Sequence, residues 1–139
     1  MAYSTAMAQA VAILLFIHFK SEEELYDFLS TKTISEMLKI PIPTAVKILS
    51  KLNAAGLTLT KEGAKGGILL AKPISSITFL EVFDAVEQGK PLFKIQYDFS
   101  NIEYDKLDSI KEKGIRCLRD AETAMKTSLK KTTLLDLLK

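Results

Sequence analysis

The chain has little of what catalysis, a disulfide framework or membrane insertion would require. Its 139 residues include one cysteine, Cys117, and one histidine, His18. A single cysteine excludes an intrachain disulfide and suits a reducing compartment. A solitary histidine near a predicted helix end reads as structural or as a favourable cap there. No Ser/His/Asp grouping and no metal-ligand spacing occurs. The glycine-rich run 63–67 lacks a following Lys-Ser/Thr and precedes a strand pattern, so it is not a nucleotide phosphate loop. No enzyme activity, metal or cofactor is expected. No Lys or Arg precedes Lys20, so the basic start of a secretory signal is missing. The longest apolar stretch, residues 10–17, is far short of the ~20 residues that span a bilayer. A cytoplasmic protein without membrane contact is expected. Gly and Pro are scarce too, at six and four residues, while Leu, Ile and Ala dominate the 47% apolar fraction. That balance favours a mainly helical fold with a real core.

Net charge is only +2, which as a bulk figure says nothing about partners. Its distribution says more. Lys39, Lys47, Lys51, Lys61, Lys65 and Lys72 face the single acid Glu62 across that stretch, just after the acidic residues Glu22, Glu23, Glu24 and Asp27. A basic block in a balanced chain is either a footprint for phosphates or an ordinary lysine-dotted surface.

Periodicity orders the elements. Ser4 caps a first helix to about residue 19, with Met7, Val11, Leu14, Leu15 and His18 at helical spacing. Thr33, with Glu36 three residues on, has capping-box form for a second helix over 34–39. Pro41 and Pro43 interrupt, and proline is tolerated in a first helical turn. A third helix then runs to Ala55 and stops at Gly56, with Ala45, Ile48, Leu49 and Leu52 on one face. Its other face carries Thr44, Lys47, Ser50, Lys51 and Ala54. Residues 57–60 alternate like a half-buried strand, 63–67 turn, and 68–71 return, which makes a hairpin. Thr78 caps a fourth helix through Glu87. Phe93, Ile95, Tyr97 and Phe99 alternate with polar residues in a strand-like pattern. A long charged helix follows over 104–130, and Thr133-x-x-Asp136 opens a short last one over 134–138.

Helix, helix, turn, helix and glycine-tipped hairpin is the order of a winged helix-turn-helix. An α-helix fits the major groove, and a hairpin can reach the flanking phosphates. The residues from Lys51 to Leu57 (KLNAAGL), the wing Gly63-Ala64-Lys65-Gly66-Gly67, then Leu70-Ala71-Lys72-Pro73 and Ile77-Thr78-Phe79-Leu80-Glu81-Val82 sharpen this. Together with Thr132, Thr133, Leu134 and Leu137 near the C-terminus, they resemble the Rrf2 family of bacterial repressors. The resemblance covers nearly the whole chain and is most specific between Leu52 and Val82. It implies a mainly α fold with a small β-hairpin. Residues 1–89 would be the DNA-binding winged helix, and 90–139 a linker or sensing segment plus a long dimerisation helix. The implied function is a repressor binding a palindromic operator in double-stranded DNA as a homodimer, under a small-molecule or protein effector.

Two departures qualify the resemblance. Cluster-bearing members carry three cysteines between the fourth and the long helix, and residues 87–113 contain none, so no iron–sulfur cofactor is expected. Glu62 stands where the family places Arg before the wing's first glycine, and the first helix lacks basic residues. The expected DNA contacts are Thr44, Val46 (for a thymine methyl), Lys47 and Lys51, with Lys65 and the N–H groups of Gly66 and Gly67 on phosphates. Cys117, between Arg116 and Arg119, is either a redox-sensing thiol or an inert helix cysteine, the commoner case. Phe93, Tyr97 and Phe99 either line a sensing pocket or simply pack on the core, again the commoner case. The competing function is a winged-helix protein-interaction module that has lost DNA binding.

Overall fold

The computed structural model describes residues 5–23, 28–64, 66–94 and 97–139. Helix α1 spans Ala6–Ser21 and buries Ala10, Ile13, Leu14 and Ile17, a stripe at three- and four-residue steps. The flanking residue is Thr5, and the expected cap Ser4 lies outside the described residues. Helix α2 is Thr31–Leu38, starting earlier than the capping-box pattern predicts. Ser30 rather than Thr33 is the cap: its extended backbone lets its hydroxyl accept the Thr33 N–H at 3.2 Å. The buried Ser35 hydroxyl donates to the Ile40 carbonyl, which tightens the turn into the next helix. Helix α3, Ile42–Ala54, follows Pro41 and holds Pro43 in its first turn, where a missing N–H costs nothing.

Strands β1 (Thr58–Lys61) and β2 (Gly67–Leu70) pair antiparallel, with Thr58 opposite Leu70 and Lys61 opposite Gly67. Leu29, ahead of α2, makes a parallel bridge to Gly67, and its carbonyl accepts the Ile68 N–H at 2.9 Å. Gly67 has φ +82°, and a Cβ there would overlap the Leu29 backbone. Glycine is therefore what allows the hairpin to lie against the chain entering α2. After a 3₁₀ turn at Ile74–Ser76, α4 (Phe79–Glu87) begins at Thr78, whose hydroxyl accepts the Glu81 N–H at 3.2 Å. These elements form the winged helix-turn-helix that the element order predicts.

Beyond α4 the structure departs from the sequence reading. The alternating residues 93–99 form no strand among the described residues. Its described residues lie instead beside the long helix α5 (Leu107–Lys130). The Leu92 N–H donates to Glu122 Oε1 at 2.7 Å, and the Tyr97 hydroxyl to the Lys111 carbonyl at 3.0 Å. The left-handed backbone of Lys106 (φ 67°) starts α5 three residues later than periodicity suggests, and Gly114 does not interrupt it. The last turn, Leu135–Leu138, is 3₁₀ rather than α.

The chain's final residues return to the first helices' core. The Phe79 N–H donates to the Thr132 carbonyl and the Leu134 N–H to the Ile77 carbonyl, each at 2.9 Å, and Leu134 is 0% exposed. Thr133 and Asp136 form the reciprocal cap foreseen in the sequence, with N–H to side-chain distances of 2.9 and 3.3 Å. The Thr133 backbone N–H, then Lys139, hold the Asp136 carboxyl below the usual carboxylate range. Residues 132–138 thus complete the same body as α1–α4.

Candidate nucleic-acid interface

Burial of Ala45, Ile48, Leu49 and Leu52 turns the opposite side of α3 to solvent. The exposed ridge consists of Pro43, Val46, Lys47, Ser50, Asn53 and Ala54, with Ile42 at its start. This ridge is rotated from the polar face read in the sequence. Val46 and Lys47 lie on it, whereas Thr44 and Lys51 are half-buried on its flank. They line a cleft of about 430 Å³ shared with Gln9, Glu87 and Lys90. The Lys51 ammonium donates to the Val86 carbonyl at 3.0 Å, in the last turn of α4. A cation suits a helix C-terminus, so Lys51 braces α3 against α4.

The basic block divides in the same way. Lys72 is paired with Glu81, Lys51 is engaged, and Lys65 lies outside the described residues. Lys39, Lys47 and Lys61 are exposed and make no ion pair among the described residues. Lys32 on α2 joins them, although it stands apart from the block in sequence and was missed there. The acids Glu36, on α2, and Glu62, next to Lys61, are exposed as well.

At the wing, Glu62, Gly63 and Ala64 are exposed, but Gly66 and Gly67 are buried. The Gly66 N–H is taken up by the Gly63 carbonyl at 3.0 Å, and a Cβ on Gly66 would overlap the Lys61 carbonyl. Both glycines thus allow close backbone packing at the wing, and a Cβ on Gly67 would overlap the Leu29 backbone.

The residues considered for sensing do not converge. Phe93 borders a space of about 250 Å³ with Leu118, Arg119 and Glu122. Tyr97 and Phe99 pack together, ring centres 5.1 Å apart, further along α5 beside Lys111. Cys117 is exposed on α5.

An outward helix ridge beside a hairpin, within a helix-turn-helix body, defines a winged-helix protein of the kind that regulates transcription. Residues 3–139 match the Rrf2 family, described as iron-dependent transcriptional regulators, and the chain belongs to that family. This is a family of regulators, not enzymes. YwgB of Bacillus subtilis (strain 168), named as an HTH-type transcriptional regulator, is 33% identical over 104 residues, 70% of this chain. The match spans 65% of that relative's own length. Among solved structures, the fold is similar to CymR, the global cysteine regulator of B. subtilis, with a TM-score of 0.66 and 24% identity over 99% of this chain and 95% of that one. It is also similar to T. potens IscR, with a TM-score of 0.63 and 22% identity over 99% and 86% of the two chains.

The family description raises the question of iron. Iron–sulfur clusters are held mainly by several Cys thiolates, with His in some centres. This chain has one Cys and one His in its whole sequence. Among the described residues no group of three or more His, Cys, Asp or Glu could hold a metal ion. The residues present do not fit a cluster. No helix among the described residues is long and apolar enough to cross a membrane.

Proposed function

We propose that this protein is a sequence-specific repressor that binds duplex DNA as a homodimer at a two-fold-symmetric operator. The observation that carries this reading is the exposed α3 ridge of Val46, Lys47 and Ser50 beside the hairpin, with Lys32, Lys39 and Lys61 exposed on neighbouring segments. A recognition helix enters the major groove while cations on either side meet phosphates. Within the site, Val46 is the base-side contact and Lys47 meets a guanine edge or a phosphate. Thr44 lies at the edge, Lys51 acts as a brace, and Lys65 reaches phosphate from the wing. Dimerisation is supported by α5, which buries none of its residues although Ile110, Ile115, Leu118, Met125 and Leu129 recur along it at helical spacing. A twin helix is the natural cover for such a stripe.

Fluorescence anisotropy across a salt series tests the reading. Lys47→Ala should weaken binding to any duplex and flatten the salt dependence by up to about one unit of slope. Glu62→Arg should tighten binding and steepen the slope by a similar amount. Light scattering should return the mass of a dimer. If neither substitution changes binding to specific or scrambled duplex, α3 and the wing do not touch DNA, and the protein-interaction reading replaces this one.

A further inference from the structure

Apart from Lys47, the N-terminal part of the α3 ridge lacks the side chains that usually read bases by paired hydrogen bonds. Arg or Lys reads guanine, Gln or Asn adenine, and Asp or Glu cytosine. Helix α3 contains no Arg, Gln, Asp or Glu. Its one Asn, Asn53, lies in the last turn, about 16 Å along the axis from Ile42 at 1.5 Å per residue. Base edges are contacted chiefly by the N-terminal residues of a recognition helix. There the ridge offers Ile42 and Val46, 50% and 51% exposed, one turn apart on the same side. Val46 also lines the cleft of about 520 Å³ between α3 and the hairpin, together with Phe28 and Thr60.

We infer that Ile42 and Val46 read thymine methyl groups, so that the operator is specified under α3 by apolar contact. This rests on the DNA-binding reading above and names the chemistry of its recognition. Charge complementarity identifies the occupant. Val46 shares its cleft with Thr31 and Thr60, whose neighbours Lys32 and Lys61 are exposed, and exposed Lys47 adjoins it on α3, against the exposed acids Glu36 and Glu62. A duplex presents the matching pattern, with methyl groups in the major groove and phosphates along both its walls. Thymine alone among the four bases carries a methyl group on that edge. Lys47, on the other side of the ridge, is left for a guanine edge or a phosphate.

The test begins with selection of duplexes from a random pool by the full chain. Each thymine of the winning sequence is then replaced, one at a time, by uracil, which keeps the hydrogen-bonding edge and removes only the methyl. At one or two positions uracil should weaken binding about three- to fourfold, the effect of withdrawing one buried methyl. Val46→Ala or Ile42→Ala, both at exposed positions, should abolish the penalty at the position each covers and leave the salt slope unchanged. An enriched duplex in which uracil is neutral everywhere overturns this inference alone. So does a uracil penalty that persists in both variants. A pool that yields no enriched sequence overturns the DNA-reading proposal together with it.

Discussion

Replacing Leu134 by alanine isolates how much the chain's last turn contributes to the winged-helix body. Leu134 is 0% exposed and sits beside the N-terminus of α4, where its own N–H reaches the Ile77 carbonyl. Truncation removes three buried carbons, about 2.4 kcal/mol at ~0.8 kcal/mol per carbon. Incomplete collapse of the space left behind raises the cost to about 3–4 kcal/mol, within the range for buried leucines. For a chain of this size that corresponds to a fall in Tm of about 10–15 °C. Leu137, 48% exposed in the 3₁₀ turn that follows Leu134, is the matched control, and Leu137→Ala should stay within about 0.5 kcal/mol. Urea unfolding followed by far-UV circular dichroism, at one fixed protein concentration, measures both. A Leu134→Ala loss below about 1 kcal/mol, or equal to that of Leu137→Ala, would refute the claim that this residue closes the core.

Gly67→Ala should destabilise by more than the ~1–3 kcal/mol of a strained backbone alone, because its Cβ also meets the Leu29 backbone. Gly63→Ala, with positive φ and nothing within 4 Å, should show only the conformational part, and equal losses in a melt would contradict the packing argument. The Asp136 carboxylate, stabilised by the Thr133 N–H and Lys139, should titrate below the ordinary aspartate range in an NMR pH series. A carboxylate depressed on folding stabilises the native chain above its unfolded pKa and ceases to do so as pH falls through the lower, folded value. Asp136→Asn should therefore remove a small stability increment at neutral pH and none in strong acid; an unshifted titration would contradict the cap. Anaerobically purified protein should be colourless, and absorption at roughly 400–450 nm with about two irons per chain would overturn the donor-set argument.

The elements legible in the sequence are those whose signal is local. Ala45, Ile48, Leu49 and Leu52 mark the inner face of α3, and all four are buried. Thr78 reads as a cap because its hydroxyl and the Glu81 N–H are three residues apart. Ser30 and Thr33 both offer a capping hydroxyl, and the choice between them follows from how the chain enters α2 past Gly67. The alternation over 93–99 is short, and the described residues there meet α5 rather than another strand, a contact no local pattern encodes. The destination of Lys51 was hidden for a similar reason. Its acceptor, Val86, is 35 residues away, so a wheel of α3 shows a free cation where the fold supplies a carbonyl. Ile42 escaped notice because it precedes Pro43 and stands outside the core stripe.

The inward turn of Leu134 also has a consequence for the order of synthesis. A ribosome makes α1 to α4 long before it reaches this residue, yet the cavity at the start of α4 stays open until Leu134 has emerged. The winged helix therefore cannot finish folding as an N-terminal unit while α5 is being added. Its last core contact is among the most distant in sequence, and such contacts form late and slowly. Until then the unfilled apolar site at Ile77 and Phe79 is open to other nascent chains, the exposure that makes partly folded proteins aggregate. Premature termination anywhere along α5 leaves a chain with the whole α3 ridge and hairpin in place and no means of closing the core behind them.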